Sequence, residues 1–549
     1  AIPGSLVGSE MCIRDRCTDN LSATLYDDIG SGTYVDPYVI CNKEQWSDFA
    51  DSCDGAGTDS CDKIIHLGAD INFNGEVIDH VARGFAQWVP FTGVFDGRNH
   101  TLSNGSVVGG ESLFDHTSGA LVKNLKIENV LLNEGLIGSA DDSIFINISK
   151  KSPNPIVSIG CCDGAIVDSS NTPNDVAVIY GAKNISNILG SYEQAGIVRL
   201  ASNTFIYKSG YYGEITGNGT FGLAGIISDG SYTSSVFKSK TLGQLLNTSY
   251  WSGGIVSRRA NVYESYTSMD ITGDGTDANF GAIAYEGRIE NSYAFNSTLD
   301  AAGAGTPGGF YDSNQIEYPI KNSYSVAYFQ NVTDAGGLSG NSSFSTQYHE
   351  NVFWDSTTSG LTKGYESGNT SVVGSFEPKT STELKQAATF SAWDTTNIWL
   401  IADTVREPRL RWDTHQVCQS NPTAITYNAI GSGSVDNPYR ICYKEQLLDL
   451  STNGCDSDSS AGCSSHYLLM NDIDLKGETW NTIGEVFGNS FSGTFNGNDK
   501  TISNLSSNLS MFDRFTGKII NLNLNLVNIT PSRDRIGSLV GVMDAGIID

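Results

Sequence analysis

The sequence is poor in positive charge and in proline, and it has no long apolar run. It carries 33 Lys and Arg against 61 Asp and Glu, a net charge of -28, which argues against nucleic acid or an anionic membrane surface as partner. No run of about 18 apolar residues occurs, so no membrane-spanning segment is expected. Charged residues make up only 17% of the chain, which excludes a disordered acidic tail. The 60 glycines beside 13 prolines suit many short strands joined by tight turns.

Both ends of the sequence have unusual features. Residues 5–16, "SLVGSEMCIRDR", resemble a translated sequencing adapter, so residues 1–16 are treated as a probable artefact and left out of the fold prediction. The other end stops within a repeated pattern, at "GVMDAGIID". We therefore expect an open fragment of a longer protein.

Cysteine is concentrated in two sets of four with nearly equal spacing, separated by steps of 24, 12 and 8 residues and of 24, 13 and 8 residues. These sets are Cys17, Cys41, Cys53 and Cys61, then Cys418, Cys442, Cys455 and Cys463. The recurrence predicts structural disulfides, an oxidising compartment and thus an extracellular or outer-surface location. Zinc is disfavoured because neither set contains CxxC. Pairing Cys17 with Cys41 and Cys53 with Cys61 is the simplest of three connectivities. The adjacent Cys161 and Cys162 leave a vicinal disulfide and two buried thiols equally open.

A long duplication organises the chain. "IGSGTYVDPYVICNKEQ" begins at Ile29, and "IGSGSVDNPYRICYKEQ" begins 401 residues later at Ile430. Likewise "FTGVFDGRNHTLSN" from Phe91 recurs as "FSGTFNGNDKTISN" from Phe491. The predicted first unit has a cap over 17–90, a β-solenoid over 91–360 and a closing segment over 361–417. The predicted second unit has a cap over 418–490 and the truncated start of another solenoid over 491–549.

A shorter repeat lies inside the first unit. Clusters such as "AGIV" and "GGIV" recur in steps of 29, 29, 27, 28 and 28 residues, at Gly196, Gly225, Gly254, Gly281, Gly309 and Gly337. Apolar residues alternate with polar ones, as at Tyr293, Phe295 and Leu299, which indicates strands. The pattern predicts an all-β parallel β-helix of about 28 residues per coil, with about ten coils between residues 91 and 360. The glycines are expected where a side chain would clash. Residues 131–190 fit this repeat poorly.

The motif "CNKEQWSDFA" predicts a short helix in the first cap. Asn42 can cap it, with Gln45 as the capping-box partner, and Trp46 and Phe49 then share one face. The second copy carries Leu447 and Leu450 at the two apolar positions. Such a cap would cover the open edge of the first coil.

These motifs resemble those of bacterial surface proteins with GLUG-type repeats, a family of secreted, adhesin-like β-solenoids. The resemblance covers residues 17–549 and rests on "GSGTYVDPYVICNKEQW", on "FTGVFDGRNHTLSN" with the following "SLFD" and "VKNLKIENV", and on the closing "IW" and "PRLRW". It implies attachment or a repeat region of a large surface protein. It carries over no catalytic residues, and the cysteine sets are an addition to the pattern.

Aspartates, histidines and one glycine-rich loop are the candidates for catalysis or metal binding. Asp70 recurs as Asp472, but Asp96 recurs as Asn496, which favours turn hydrogen bonds over a carboxylate pair for catalysis. The histidines are scattered without an HExxH or HxxxH pattern, at His66, His80, His100, His116, His349, His415 and His466. "GDGTDANFG" from Gly273 hints at a calcium loop but fits a turn better. We therefore predict no catalytic, cofactor-binding or metal-binding residues, with Ca²⁺ as the weaker alternative.

The sequence therefore predicts an adhesin-like protein without enzymatic activity, which presents a lateral face or the irregular segment 131–190 to a glycan or to a host or matrix surface. No nucleic-acid partner is expected. The alternative is a polysaccharide lyase or glycoside hydrolase on the same fold. A third possibility is an inert stalk.

Overall fold

The structure is a computed structural model. It describes residues 16–20, 22–54, 60–82, 89–107, 112–132, 134–157, 163–164, 166–170, 176–190, 193–220, 222–248, 250–275, 279–303, 305–310, 319–332, 334–340, 348–365, 373–455, 460–485, 488–531, 534 and 536–549. Cys161, Cys162 and most of the adapter-like segment lie outside them. Arg16 lies inside them, where its Nη1 donates to Asp36 Oδ1 at 2.8 Å. The chain divides into two compact units, 1–381 and 382–549.

The first unit is the predicted parallel β-solenoid, built from three sheets that the chain visits in turn. The long sheet contains β1 Tyr38–Ile40, β2 Ile64–Leu67, β3 Ile71–Asn72, β4 Val77–Ile78, β5 Val94–Asp96, β6 Thr101–Val107, β8 Leu121–Leu131, β10 Ile144–Val157, β13 Ala177–Tyr180, β14 Lys183–Gly190, β17 Thr204–Tyr207, β18 Gly210–Thr220, β21 Ser235–Phe237, β22 Lys240–Thr248, β25 Asn261–Tyr263, β26 Tyr266–Gly273, β28 Ile289–Glu290, β29 Tyr293–Asp300, β30 Ile320–Gln330, β31 Tyr348–Asp355 and β32 Val373–Lys379.

Two smaller sheets complete the middle turns of the first unit. The lateral sheet contains β7 Phe114–Ser118, β9 Ile137–Asp141, β12 Val167–Ser170, β16 Val198–Ala201, β20 Ile227–Gly230 and β24 Val256–Arg258. The short sheet contains β11 Asp163–Gly164, β15 Gln194–Ala195, β19 Leu223–Ala224, β23 Ser252–Gly253 and β27 Phe280–Gly281. In the described part of this unit, helices span α1 Lys43–Ser52 and α2 Ser356–Ser359, and residues 16–19 are also helical.

An inward-facing column of the long sheet shows the period. Its members pair in register from turn to turn and are Ile65, Phe95, Val122, Phe145, Ile179, Ile206, Val236, Val262, Ile289 and Ile320. All ten are fully buried. From Ile65 to Ile320 the column passes through nine turns, and a turn averages about 28 residues, as predicted.

The length of a turn varies along the first unit. The side chains of Asn124 and Asn147 bond across adjacent turns and are only 23 residues apart along the chain. Asp142 and Val176 also bond across adjacent turns, but they are 34 residues apart. The strands on both sides of these steps remain paired in parallel. The described part of segment 131–190 therefore breaks the period but keeps the parallel pairing, with one register shift between Ser152 and Ile156.

Each turn of the long sheet bends at one residue in the left-handed backbone region. Nine consecutive turns place such a residue at the same position: Asn124, Asn147, Gly181, Lys208, Lys238, Glu264, Asn291, Asn322 and Asn351. Asparagine and glycine tolerate this conformation best, which accounts for six of the nine. The asparagines also bond along the column, since Asn147 Nδ2 donates to Asn124 Oδ1 at 3.1 Å and Asn351 Nδ2 to Asn322 Oδ1 at 3.0 Å.

The residue after each bend is buried, and in five successive turns it is serine. The bend turns its backbone N–H towards the next turn's hydroxyl. Ser265 N donates to Ser292 Oγ at 3.1 Å, and that hydroxyl donates to Glu290 O at 2.9 Å. The complete ladder comprises Ser209, Ser239, Ser265, Ser292 and Ser323. These hydroxyls satisfy N–H groups that would otherwise be buried without an acceptor.

The recurring glycines are required by close approach across the interior. A Cβ at Gly225 would lie 2.4 Å from Thr241 Cγ2 and 2.5 Å from Gly254 O, and one at Gly254 would lie 2.2 Å from Ala282 O. Ala282, rather than Gly281, occupies this column. Ala294 pairs in register with Thr267 of the neighbouring turn, so the side chain on the opposite wall of the interior is smaller at the turn of Ala294.

The first cap closes the start of the solenoid as predicted. The Asn42 side chain accepts from Gln45 N at 2.9 Å, and Gln45 Oε1 accepts from Cys41 N at 2.8 Å, so the capping box reaches one residue further back than the usual pattern. Trp46 and Phe49 are fully buried, and the Trp46 ring lies 5.8 Å from that of Phe95, which belongs to the inward column. Helix α1 therefore plugs the hydrophobic interior.

The eight cysteines pair sequentially. Cys17 joins Cys41, and Cys53 joins Cys61 with Cα atoms 5.0 Å apart. Cys418–Cys442 and Cys455–Cys463 repeat the arrangement. The second set has one more residue in its middle step, and α4 Lys444–Asp449 continues there into a π-helical turn, Leu450–Gly454. A π turn takes up one extra residue, so it absorbs this insertion without moving the disulfides.

The second unit repeats the cap and the first turns. Its remaining strands are β33 Trp399–Ala402, β34 Arg406–Leu410, β35 Tyr439–Ile441, β36 His466–Leu469, β37 Ile473–Asp474, β38 Thr494–Ser503, β39 Ser506–Ser507, β40 Phe512–Phe515, β41 Lys518–Asn525, β42 Asn528–Ile529, β43 Val540–Met543 and β44 Ile547–Ile548. Its other helices are α3 Gln416–Gln419 and the 3₁₀ turns Glu383–Lys385, Ala387–Phe390 and Arg411–Asp413. All pairings in this unit are parallel except the β33–β34 hairpin.

That hairpin belongs to the second unit, although the sequence analysis grouped residues 361–417 with the first. Arg406 ties it to the second cap. Its Nη1 donates to Pro422 O, its Nη2 donates to Ala424 O at 2.9 Å, and its guanidinium lies 3.8 Å from the centre of the Tyr443 ring. Nη2 also lies 3.1 Å from Glu445 Oε2, close enough for an ion pair but not aligned as a hydrogen bond. In the first cap, the carbonyl of Ala23 accepts instead from Asn42 Nδ2.

The serine ladder gives a stability prediction. Ser292→Ala should lower the free energy of unfolding by about 1–3 kcal/mol, because the buried N–H of Ser265 loses its acceptor. Ser297→Ala, on strand β29 that follows Ser292, is the matched control, since Ser297 is fully buried and its hydroxyl has no hydrogen-bond partner among the described residues. Urea unfolding of both variants measures the difference. Equal losses would show that the ladder contributes nothing specific.

The Arg406 contacts give a second prediction. Arg406→Met should destabilise the second unit by about 3–5 kcal/mol, because it leaves a carboxylate and two carbonyl groups without their buried cation. Arg406→Lys should recover only part of this, since an ammonium group cannot fork to several acceptors. The control is Arg440→Met, whose Nη1 bonds only to the exposed Asn437. Hydrogen exchange at 418–455 provides the measurement, and unchanged protection in Arg406→Met would refute the prediction.

Candidate functional site

The carboxylates weighed from the sequence make structural hydrogen bonds. Asp70 Oδ1 accepts from Thr101 N at 2.9 Å, and Asp472 Oδ1 accepts from Thr501 N at 2.8 Å. Asp96 Oδ1 accepts from Arg98 N and Asn124 Nδ2. Burial acts to raise the pKa of Asp96, but these bonds and Lys123 hold it below its usual value. The matching Asn496 Oδ1 accepts from Asn498 N at 2.8 Å, so a carboxylate is not needed there.

Five of the seven histidines lie in the first unit and two, His415 and His466, in the second, and those in the described residues form no common site. Three lie near one carboxylate each: His80 Nδ1 is 3.0 Å from Asp115, His100 Nδ1 is 3.1 Å from Asp70, and His116 Nε2 is 3.5 Å from Asp141. Among the described residues, no group of three His, Cys, Asp or Glu side chains could hold a metal ion. Residues 276–278 of the calcium-like "GDGTDANFG" lie outside the described residues.

The inward column continues beyond Ile320 with His349, which is its one polar member among the described residues. Its Nδ1 accepts from Ile320 N at 3.2 Å, and its Nε2 lies 2.7 Å from the Tyr365 hydroxyl. The side chain is fully buried, and this burial lowers the pKa of His349 to about 4. The histidine is therefore neutral at physiological pH and acts as a packed core residue.

A different group of residues stands out on the outer face of the lateral sheet. We call it the lateral cluster and define it as Asp168, Glu193, Arg199, Asp229, Trp251, Arg258 and Arg259. The charged side chains come from turns of the solenoid stacked next to one another. The sequence has only four arginines between Arg98 and Arg406, and three of them lie here.

Arg258 joins three turns of the cluster. Its Nη2 lies 2.9 Å from Glu193 Oε1 and 2.9 Å from Asp229 Oδ2. Glu193 is two turns away, and its own column continues through Gly222, which has φ +65° and no side chain, to Trp251 on the turn of Arg258. The guanidinium also lies 4.2 Å from the centre of the Trp251 ring. One arginine thus fixes two carboxylates and an indole relative to each other.

The other two arginines complete the network. Arg199 forms a bidentate pair with Asp168 at 2.6 and 2.8 Å, the geometry that matches a guanidinium to a carboxylate. Arg259 approaches Asp229 Oδ1 at 2.6 Å and is the more exposed arginine, at 42%. Because these side chains project from rigid strands or their ends, their positions are set before any ligand binds.

The cluster is electrically balanced, with three arginines and three carboxylates. Burial, and after it the neighbouring Asp229 carboxylate, raises the pKa of Glu193, while Arg258 and Arg199 oppose the shift. Aromatic side chains border the charged groups. The Trp251 ring lies 6.3 Å from that of Tyr250 and 6.2 Å from that of Tyr285, and the half-exposed Tyr232 donates to Glu286 at 2.8 Å.

No short motif in the sequence marks this cluster, because its hydrogen-bonded pairs lie a full turn or more apart along the chain. A signal was present at the length of a turn, where Asp168, Arg199, Asp229 and Arg258 alternate in sign at nearly equal steps along the chain. Such steps bring residues side by side only if the chain is a solenoid, so the alternation becomes meaningful after the fold is known.

The chain is similar to a curated protein and to solved structures, but no family can be assigned to it. No family model matches the chain. Halomucin of Haloquadratum walsbyi is 28% identical over 238 residues, covering 40% of this chain and 2% of that protein. The chain therefore corresponds to a small part of that relative.

Two solved structures also align with the chain. A candidate immunoglobulin A1 protease of Bacteroides ovatus is 17% identical, with a TM-score of 0.27 over 70% of this chain and 94% of that one. Another, named IgA1 protease, is 18% identical, with a TM-score of 0.29 over 58% of this chain and 21% of that one. Separately, none of the described helices is long and apolar enough to cross a membrane.

The position of His349 predicts acid sensitivity. An unfolded histidine titrates near pH 6.5, whereas folded His349 remains neutral down to about pH 4, so unfolding takes up a proton between these values. Stability should therefore fall as pH decreases from about 6.5 to about 4, with His349 contributing on the order of 3 kcal/mol. Urea midpoints across this range measure the slope.

The variant His349→Phe should show a shallower slope, even if losing the bonds to Ile320 and Tyr365 lowers its stability at pH 7. The exposed His415, where asparagine can also cap the following helix, supplies the control His415→Asn, which should keep the parent slope. Identical slopes for the parent and His349→Phe would refute the role given to this histidine.

Proposed function

We propose that this protein is an extracellular, adhesin-like β-solenoid that attaches to a glycan-bearing or matrix surface through the side of its first unit. The lateral cluster is the observation that carries the proposal. It gathers scarce arginines with carboxylates and aromatic rings on an outer face, and residues of these types commonly provide specific contacts in binding sites. The paired strands of the stacked turns hold the side chains of this face in fixed positions.

The extracellular location is supported by the four disulfides, since such crosslinks persist in oxidising environments and are rare in the cytosol. The net charge of -28 favours a soluble surface protein that does not adhere to nucleic acid or anionic membranes. GLUG-type surface proteins remain the expected relatives on the motifs quoted above.

A carbohydrate-active enzyme is the second candidate, favoured by one observation. Glu193 has a raised pKa and shares Arg258 with Asp229, so two carboxylates lie close together with different environments. Against this, Arg258 bonds to both groups and stands between them. We therefore place attachment first.

The proposal is tested with the full chain, fluorescently labelled and passed over immobilised cells, matrix proteins and polysaccharides. We expect saturable retention on at least one glycan-bearing surface, displaced by unlabelled protein. The control is the same chain with its disulfides reduced and alkylated, which should lose retention as the caps open. Absence of saturable retention on every surface would refute attachment, and release of soluble sugar fragments would favour the enzyme instead.

A further inference from the structure

The charges of the lateral cluster are paired with each other, which argues against strongly charged ligands. Its three guanidinium groups and three carboxylates are paired with each other, so the group presents hydrogen-bond donors and acceptors but no net charge. The chain around it carries a charge of -28, which repels an anionic polymer at long range. A cationic ligand would have to compete with arginines already paired to the same carboxylates.

Sugar hydroxyl groups match this arrangement. Each hydroxyl both donates and accepts, so neighbouring hydroxyls of a pyranose can bond to a carboxylate and to the guanidinium beside it. Because the charged groups stay paired with each other, such a ligand does not leave an uncompensated charge. Arg259, Arg258 and Asp229 supply these groups at one place, with Arg259 the most exposed of them.

The aromatic border provides the second half of a carbohydrate site. Sugars present apolar C–H faces as well as hydroxyls, and amphipathic aromatic rings accept both. Trp251 is half-buried beside Arg258, and its neighbour Tyr250 is 36% exposed. Tyr232, which lies near enough to Arg259 to interact with it electrostatically, is 48% exposed and is fixed through its hydroxyl to Glu286. The rings and the charged groups thus lie on one face.

We propose that the lateral cluster is a binding subsite for a neutral oligosaccharide, which contacts Arg259 and Asp229 through its hydroxyls and Trp251 through an apolar face. This rests on the proposed attachment function and assigns its ligand class. The strands hold the contacts in place before binding, so little side-chain entropy is lost when the sugar is bound.

The experiment presents the full chain to an array that carries neutral oligosaccharides (glucan, mannan and galactan fragments) and anionic ones (uronate and sulfated fragments). Titration calorimetry then follows the best neutral binder. Trp251→Ala and Arg259→Met should each weaken binding at least about tenfold, as expected when a central contact is removed. Arg259→Met keeps Asp229 paired with Arg258, so it tests the site even if Trp251→Ala unfolds the region.

The matched control is Tyr328→Ala, which removes an aromatic ring, 47% exposed, from strand β30, outside the cluster, and should leave the affinity unchanged. Binding of anionic glycans alone, or neutral binding unaffected by the two cluster variants, would overturn the inference while leaving attachment intact. Retention on cells or matrix without any glycan binding would do the same. Loss of both retention and glycan binding would overturn both proposals.

Discussion

The fold depends on one geometric constraint: every turn must return the chain to the same register, because its backbone groups are satisfied by the turns on either side. The left-handed residue at the bend of the long sheet makes this return possible, and it recurs in nine consecutive turns from Asn124 to Asn351. The bend displaces one N–H from the regular ladder, and the buried serine of the next turn accepts it. Turn length can vary where the bend is kept, since turns of unequal length around Asn124, Asn147 and Gly181 stack side by side even without the serine.

The ends of each stack need a different solution, because the first turn has no neighbour to pair with. Helix α1 fills the interior with Trp46 and Phe49, and the disulfides hold the loops around it. The second cap uses the same scheme with leucines, absorbs one inserted residue in a π turn and adds the Arg406 hairpin on the outside. Hydrophobic closure is thus shared by the two caps, while their outer surfaces have diverged.

Two kinds of feature could be predicted from the sequence: those that recur at a fixed period and those whose contacts lie within a few residues. The glycine period revealed the solenoid because a clash across the interior, as at Gly225, allows almost no other residue. The Asn42 cap was predictable because its contacts span only a few residues. The serine ladder was partly visible in "IENSY" and "IKNSY", but serine is common enough in turns to conceal it. The contacts of the hairpin around Arg406 with the second cap could not be predicted, since the partners of this buried guanidinium lie in loops without a recognisable motif.

The candidate site was less accessible to such reasoning. Asp168 and Arg199 lie a full turn apart along the chain, and neither has a local pattern that marks it as functional. The contact of Arg258 with Glu193 spans two turns of the solenoid, a separation along the chain that no motif encodes. Binding surfaces on a solenoid are assembled from single residues of successive turns, so they emerge from register rather than from motifs.

The two caps also differ in what their outer carbonyls can accept. In the first, the Asn42 amide occupies Ala23 O, while in the second the matching Ala424 O receives Arg406, and Tyr443 replaces the asparagine. A hairpin with this arginine would have to displace an existing hydrogen bond to seat on the first cap, and it would find no aromatic ring beneath it. The two caps share their hydrophobic interior but are therefore not equivalent on the outside, because one residue exchange, Asn42 for Tyr443, decides whether the outer carbonyl is occupied from within the cap or receives an arginine.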